Sequence, residues 1–219
     1  TFKIIEKKKY GVSKIIFGES GIYNPIVDMD GEYGMTHGAM AIKINNHEEG
    51  EQIAKLLTSE NFQDIINYLV EKYQCRIILT GGKTDNEKNY GTHLSKINKQ
   101  SIVNLIGKTS LKELAAIISL SELVICPDSG PAHIATAVNT KVIGLYASSN
   151  PNRTGPYQSE KYTVNAYPDA CIKYLGKKAN KVNWGQRIRN PEVMTIITVD
   201  MVKEKIDEFF STLKEDNRI

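Results

Sequence analysis

The chain has 219 residues, of which 41% are hydrophobic, so it is long enough to bury a substantial core. Lysine and arginine exceed aspartate and glutamate by only three, so the charge of the chain gives no indication of a nucleic-acid partner. A mildly basic protein suits an anionic substrate or a membrane surface. Three scattered cysteines, Cys75, Cys126 and Cys171, favour a reducing compartment over a disulfide scaffold, and no apolar run reaches the length of a membrane span. We therefore expect a globular, cytoplasmic protein.

Residues 1–50 are rich in turn formers, and they contain one short apolar run, Lys14 to Phe17, that predicts a strand. Asp28 and Asp30 have the spacing of paired carboxylates that hold a divalent ion beside a sugar nucleotide. We favour a plain turn instead, because the surrounding residues are turn formers and no clear buried strand precedes the pair.

From residue 48 onwards, helical and strand patterns alternate along the chain. The patterns predict helices over 48–57, 60–73, 85–97, 110–120 and 200–213, and strands over 75–79, 102–105, 123–125, 141–146 and 161–165. Ser110, with Glu113 three residues later, forms a capping box that marks the start of one helix. Alternation of this kind predicts an α/β fold with a Rossmann-like, doubly wound parallel sheet.

The stretch from Ser121 to Val138 runs from a buried strand directly into a helix, and the junction is Asp128-Ser129-Gly130-Pro131. Asp or Ser caps a helix well, Gly130 lets a ligand approach the backbone, and Pro131 removes an amide that would have no partner. A helix N-terminus carries roughly half a positive charge and unpaired N–H donors, which suit a phosphate or diphosphate. An ordinary capped turn is the alternative interpretation of the same four residues.

Two further loops follow strands and should reach the same edge of the sheet, where open parallel sheets bind ligands. The first contains Gly81 and Gly82, which allow close backbone approach, and Glu87, whose carboxylate could accept hydrogen bonds from ribose hydroxyls. A solvated helix carboxylate is the alternative for Glu87. The second loop contains Lys108 and Thr109.

Three more side chains are candidates for the same cleft. His133 lies about one turn into the central helix, where it could donate to a phosphate oxygen or a sugar hydroxyl, or simply pack. Arg153 and Tyr157 are loop residues that could reach the site, although such side chains are usually solvated. The chain lacks both a Gly-x-Gly-x-x-Gly that opens a helix and a Gly-x-x-x-x-Gly-Lys-Ser/Thr loop, which argues against ordinary dehydrogenases and ATPases.

Several motifs occur in an order that resembles glycosyltransferase family 9, the ADP-heptose lipopolysaccharide heptosyltransferases. They are Gly81-Gly-Lys-Thr-Asp-Asn-Glu87, Asn104-Leu-Ile-Gly-Lys-Thr-Ser-Leu-Lys-Glu-Leu114, Leu123 to His133 and Pro151-Asn-Arg-Thr-Gly-Pro-Tyr157. The later Trp184-Gly-Gln-Arg-Ile-Arg189 looks like the tail of some members. The resemblance extends over about residues 59 to 213.

The resemblance implies a GT-B transferase with two Rossmann-like domains. Residues 51–219 would be the C-terminal, nucleotide-sugar-binding domain, and residues 1–50 an abbreviated acceptor-side region. The implied donor site has Ser129 and Gly130 amides on the diphosphate, with Asp128, Pro131 and His133 near the sugar and phosphates. The implied nucleoside site comprises Gly81, Gly82, Glu87, Lys108 and Thr109, with Glu87 at the ribose and Thr109 beside the adenine.

The implied reaction is inverting transfer of a heptose or related sugar from an ADP-sugar to a hydroxyl of the lipopolysaccharide core or another glycolipid. No metal or cofactor is expected, because the helix N-terminus and basic side chains would stabilise the leaving diphosphate. No nucleic-acid partner is expected. Such an enzyme would work in the cytoplasm, with peripheral contact at the inner face of the inner membrane.

Two departures from the family pattern leave the catalytic residues unassigned. Residues 1–50 do not match the glycine-rich first loop with its acidic base, and Leu56-Leu-Thr-Ser59 does not match the loop that supplies a phosphate-binding lysine. A noncatalytic nucleotide-sugar-binding module, or an isolated donor domain, therefore remains an alternative. A sugar-nucleotide epimerase is disfavoured. The corresponding turn of such epimerases resembles Asp-Ser-Gly-Gly, whereas here Pro131 follows Asp128-Ser129-Gly130.

Overall fold

A six-stranded parallel sheet organises the computed structural model, which describes residues 14–18 and 59–216. The strands are β1 (Lys14–Gly18), β2 (Arg76–Thr80), β3 (Ile102–Asn104), β4 (Leu123–Pro127), β5 (Lys141–Tyr146) and β6 (Val164–Asn165). Their order is β3-β2-β1-β4-β5-β6, and every neighbouring pair is parallel. The predicted α/β fold class is confirmed.

Helices connect these strands, mostly where the sequence predicts them, although the helix over residues 167–175 was not predicted. They are α1 (Ser59–Tyr73), α2 (Asp85–Leu94), α3 (Leu111–Ser119), α4 (Gly130–Ala137), α5 (Pro151–Thr154), α6 (Tyr167–Leu175) and α7 (Val199–Asp216). Short 3-10 turns occur at Glu160–Tyr162, Ala179–Lys181 and Val193–Ile196. The predicted capping box of Ser110 and Glu113 is present at the start of α3. The α5 turn, capped by Asn150, lies in a segment that was expected to be a plain loop.

Apolar side chains of the strands alternate between two buried layers. In β4, Leu123 and Ile125 pack with α1 and α7, whereas Val124 and Cys126 pack with α3 and α4. Helices therefore cover both faces of the sheet, as its continuous apolar strands require. All three cysteines are free and buried, so they act as small packing groups.

The strand from the N-terminal segment lies in the middle of this sheet. Ile15 pairs with Ile77 of β2 on one side and with Leu123 of β4 on the other. The strand β1 thus completes the sheet that residues 51–219 build, and the assignment of the rest of residues 1–50 to an acceptor-side region stays a prediction. The predicted helix over 48–57 and the Asp28 and Asp30 pair lie outside the described residues.

The strand order reverses direction between β1 and β4, because the chain first builds outwards to β3 and then returns to build β4, β5 and β6. Ligands of open parallel sheets bind at such a switch point, beyond the carboxyl ends of the strands. The start of α4 lies at this point. Among the described helices, none is both long enough and apolar enough to cross a bilayer.

Candidate functional site

The start of α4 is an uncapped helix N-terminus that lies at the switch point. The strand β4 ends at Pro127, and Ser129 is the extended N-cap residue of α4, with φ −158° and ψ 166°. The Ser129 side chain makes no capping hydrogen bond, and Pro131 occupies the first turn. Because no side chain caps the helix, a ligand can take the acceptor role at its first amides.

Space is open at the first residue of α4. A Cβ atom placed on Gly130 would meet no heavy atom within 4 Å. His133, one turn along the helix, is exposed. The Ser129 hydroxyl is instead buried beside the Cys126 sulfur, a weak partner, and makes no well-formed hydrogen bond to another described group.

Asp128 is fixed by two side chains that come from other elements. Arg187 Nη2 donates to Asp128 Oδ2 at 2.6 Å, and Thr154 Oγ1 lies 3.2 Å from the same oxygen. The Asp128 side chain is 10% exposed and that of Arg187 is 29% exposed. The Tyr146 hydroxyl donates to the Thr154 carbonyl at 2.9 Å and so anchors the α5 turn.

This ion pair changes the electrostatics at the start of α4. An unpaired Asp128 carboxylate would repel an anionic ligand from the adjacent helix N-terminus, whereas the Arg187 guanidinium compensates its charge. Sequence reasoning gave no role to Arg187, Thr154 or Tyr146, although the first two fall inside the motifs that resemble the family. No local pattern connects Asp128 and Arg187, which are 59 residues apart.

The loops after β2 and β3 pack against each other at the same edge. The Gly107 amide donates to the Gly81 carbonyl at 3.1 Å. Glu87 is buried, and its carboxylate accepts hydrogen bonds from the amides of Gly82 at 2.8 Å and Thr84 at 3.3 Å. The solvated-carboxylate interpretation of Glu87 is therefore wrong, and a ribose hydroxyl would share a carboxylate that already organises the turn.

The remaining loop candidates, Lys108, Thr109 and Arg153, lie in two separate parts of the structure. Lys108 Nζ donates to the Asn104 carbonyl at 3.0 Å and so folds back on its own loop, beside the partly buried Thr109. Arg153 lies in α5, where its guanidinium packs over Gly185 in a cleft of about 750 Å³ formed with residues 183–191. Arg153 and Arg187 thus line one cleft, and Arg187 also pairs with Asp128 next to the start of α4.

Tyr157 does not join this group. Its side chain is 71% exposed, and its carbonyl lies 3.4 Å from the hydroxyl of Thr136, near the far end of α4. The next carbonyl, that of Gln158, accepts from Lys141 at the beginning of β5. The strand β6 runs parallel to β5, so the chain has to return to the amino edge of the sheet here, which takes Tyr157 away from the site.

Comparison with known proteins identifies the family. The family model for glycosyltransferase family 9 (heptosyltransferase) matches residues 42–184. The chain belongs to this family. Over 143 residues it is 35% identical to the lipopolysaccharide core heptosyltransferase OpsX of Haemophilus influenzae, a match that covers 65% of this chain and 41% of that protein.

Solved structures of family 9 proteins share the fold. The E. coli ADP-heptose lipopolysaccharide heptosyltransferase II matches with a TM-score of 0.58 and 16% identity, covering 93% of this chain and 48% of that chain. E. coli heptosyltransferase WaaC with ADP matches with a TM-score of 0.55 and 16% identity, covering 90% and 44%. The family 9 chain described here therefore has the fold of a GT-B Rossmann-like domain, and it spans less than half the length of these relatives.

The comparisons also separate two parts of the candidate site. Asp128 and the start of α4 lie within the residues that the family model matches, whereas Arg187 and Arg189 lie beyond its end at residue 184. The segments where sequence analysis found no counterpart of the family's base and lysine fall almost wholly outside the described residues.

Proposed function

We propose that this chain is the donor-binding part of an inverting glycosyltransferase that moves a heptose or related sugar from an ADP-sugar to a hydroxyl of the lipopolysaccharide core. The observation that carries the proposal is the uncapped start of α4 at the switch point of the sheet, beside an Asp128 carboxylate held by Arg187. The names of the matched relatives, which are lipopolysaccharide heptosyltransferases, support the choice of sugar and acceptor.

In this proposal the Ser129 and Gly130 amides bind the donor diphosphate, and His133 donates to a phosphate or sugar oxygen. The partial positive charge of α4 then stabilises the negative charge that develops on the leaving diphosphate, without a metal ion. Asp128, kept in one orientation by Arg187 and Thr154, accepts a hydrogen bond from a hydroxyl of the donor sugar.

The nucleoside would occupy the neighbouring loops, with Gly81, Gly82 and Glu87 at the ribose and Lys108 and Thr109 beside the adenine. The packing of the two loops on each other supports a shared binding surface there. We also propose that the protein acts in the cytoplasm, in peripheral contact with the inner membrane, where a lipopolysaccharide acceptor would be available.

The test of donor binding uses Gly130→Val, because the space around Gly130 lets the folded chain accept the side chain while a ligand would meet it. Isothermal titration should show ADP bound in preference to UDP and GDP, and Gly130→Val should weaken ADP binding by about tenfold or more. The control is Ala137→Val, which adds bulk to an exposed position at the other end of the same helix. Equal ADP affinity in all three folded proteins would refute the proposal.

A noncatalytic nucleotide-sugar-binding module is the second candidate, because Leu56-Leu-Thr-Ser59 does not match the loop that supplies the family's phosphate-binding lysine. Incubation of the chain with ADP-heptose and delipidated core acceptor separates the two. Formation of heptosylated acceptor supports the transferase, whereas tight donor binding with no transfer supports the binding module.

A further inference from the structure

A stretch of 22 residues, 170–191, contains basic residues but no acidic ones. Asp169 and Glu192 border it, and between them the sequence has six lysines and arginines and no aspartate or glutamate. Since the whole chain has a net charge of +3 and this stretch has +6, the rest of the chain carries −3. The positive charge of the protein is thus concentrated in this one stretch.

Lysines supply the exposed part of this charge. Four lysines of the stretch have exposed side chains, namely Lys173, Lys177, Lys178 and Lys181. Among the described residues, none of the four forms an ion pair with a carboxylate. Arg187 does not belong to this set, because its guanidinium pairs with Asp128. The four ammonium groups are therefore available to an anionic partner outside the chain.

Local hydrogen bonds and packing hold the backbone between these lysines. The helix α6 ends at the left-handed cap Gly176, with φ 63°. The next turn is closed by the Lys181 amide, which donates to the Lys178 carbonyl at 2.8 Å. Ala179 and Val182 are partly buried against the core. The exposed lysines therefore belong to a segment that is anchored on its inner side.

Two large apolar side chains of the same stretch are also exposed. Ile172 of α6 is 56% exposed, and Trp184, the single tryptophan of the chain, is 62% exposed. Tryptophan favours the interface between membrane and water, where part of the ring is in apolar surroundings and the N–H stays hydrated. Lysines beside it can keep their ammonium groups at the level of the headgroups. This combination matches the chemistry of an anionic bilayer surface.

The use of lysine favours a lipid surface over a partner with fixed phosphate geometry. The guanidinium of arginine presents a planar fork that suits one defined phosphate, whereas the ammonium of lysine is a point charge on a flexible stem. Headgroup phosphates are mobile and spread over the bilayer, so point charges are sufficient to attract them.

We propose that this part of the chain docks on a bilayer that contains anionic phospholipids. The docking surface, hereafter the lysine surface, consists of Ile172, Lys173, Lys177, Lys178, Lys181 and Trp184. Arg187, three residues after Trp184, pairs with Asp128 next to the start of α4, so docking would bring the candidate donor site close to the bilayer. Delivery of the chain to a lipid-borne acceptor is a role that rests on the proposed function, whereas lipid binding itself requires neither donor nor acceptor.

Sedimentation with vesicles measures lipid binding by the whole chain. We expect binding to phosphatidylcholine vesicles that contain about 30% phosphatidylglycerol, none to phosphatidylcholine alone, and a steep decrease between about 50 and 500 mM NaCl. Because Trp184 is the only tryptophan, its emission should shift to shorter wavelength when the indole leaves water. Glycerol phosphate, at an equal phosphate concentration, should neither shift the emission nor displace the vesicles.

One variant replaces three lysines of the lysine surface: Lys177→Gln, Lys178→Gln and Lys181→Gln. It should weaken vesicle binding by roughly a hundredfold, since each lysine near an anionic surface contributes about fivefold in affinity, and it should keep the ADP affinity of the wild type. The matched control removes the same charge from three exposed lysines elsewhere: Lys96→Gln, Lys99→Gln and Lys214→Gln. It should weaken vesicle binding by less than about threefold, through net charge alone.

Trp184→Ala tests the apolar part of the surface. It should weaken binding to the anionic vesicles by about tenfold, because the indole can no longer enter the interface. The salt series and the neutral vesicles are measured on the wild type, so the test remains decisive if a variant fails to fold.

Four results would overturn the inference: equal binding to neutral vesicles, an equal loss in the two triple variants, no emission shift of Trp184 on bound vesicles, or tighter binding of a DNA duplex at equal phosphate concentration. ADP titration of the same samples separates this inference from the proposed function. If anionic vesicles are bound while ADP is not, the lysine surface stands and the donor proposal fails. If ADP is bound while the vesicles are not, the donor proposal stands and the lysine surface fails.

Discussion

At the residue scale, the pairing of Asp128 with Arg187 compensates the charge of an acidic side chain beside an uncapped helix N-terminus. Asp128 lies next to the N-cap of α4, and its side chain is largely buried. A nearly buried carboxylate without a partner would be costly, and its charge would oppose phosphate binding. The guanidinium of Arg187 removes both problems, because its Nη2 donates to Asp128 Oδ2 and its positive charge compensates the carboxylate.

We predict that Arg187→Gln or Asp128→Asn alone lowers the free energy of unfolding by about 2–4 kcal/mol, because each leaves a largely buried partner without its counter-charge. The double variant should recover part of this loss, with a coupling energy of about 1 kcal/mol or more. Urea denaturation of the four proteins measures the cycle. Strict additivity of the two single effects would mean that the ion pair contributes nothing specific.

At the element scale, α1 and α7 are joined by a polar cluster above their apolar contact. Asp207 of α7 accepts hydrogen bonds from the hydroxyls of Tyr68 and Tyr73 at 2.6 and 2.7 Å, and from Lys72 at 2.9 Å. Below it, the ring of Tyr73 stacks on Phe210 with 4.0 Å between the centroids. Burial raises the pKa of Tyr73 to about 12, assisted by the Asp207 hydrogen bond, so its hydroxyl remains a donor at neutral pH.

Asp207 should make the stability of the chain sensitive to acid. Burial alone would raise the pKa of Asp207, but hydrogen bonds from Tyr68, Tyr73 and Lys72 outweigh it and keep the pKa below the usual value. Because the pKa is lower in the folded state, the stabilisation that the Asp207 carboxylate provides is complete above pH about 4. It disappears as the pH falls through the pKa of Asp207 in the folded protein.

We therefore predict that Asp207→Asn lowers the free energy of unfolding by about 1 kcal/mol at pH 7, since the carboxylate is 41% exposed. The difference from the wild type should shrink as the pH falls from 5 to 3. Asp64→Asn, at an exposed position of α1, is the control. Urea unfolding across this pH range gives the result, and a difference that stays constant with pH would contradict the assignment.

The same two helices show what sequence reasoning can and cannot recover. The bounds of α1 and α7 were predictable within a few residues, because apolar side chains recur at helical spacing and bury one face. The Ser110 and Glu113 capping box was predictable because its signal is contained in four residues. The contacts of Asp128 with Arg187, and of Asp207 with Tyr68, join positions 59 and 139 residues apart, so no local pattern encodes them.

At the scale of the whole molecule, the position of β1 determines which residues form the folding unit. Sequence reasoning recognised Lys14 to Phe17 as a strand but could not place it, since a short apolar run does not specify its neighbours. In the structure, β1 joins β2 to β4, pairing in parallel with β2 over residues 14–18 and with β4 over residues 15–17. Among the described strands, the two halves of the sheet are therefore hydrogen-bonded to each other only through β1, which lies before residue 51.

We predict that a chain truncated to residues 51–219 loses cooperative unfolding, because β2 and β4 would each expose an unpaired apolar edge. Removal of residues 1–12 keeps β1 and is the control, for which we expect a single transition close to that of the full chain. Urea unfolding followed by circular dichroism distinguishes them, with light scattering to detect edge-to-edge association. If the 51–219 chain unfolds as cooperatively as the full one, residue 50 is a true domain boundary and β1 is dispensable to the sheet.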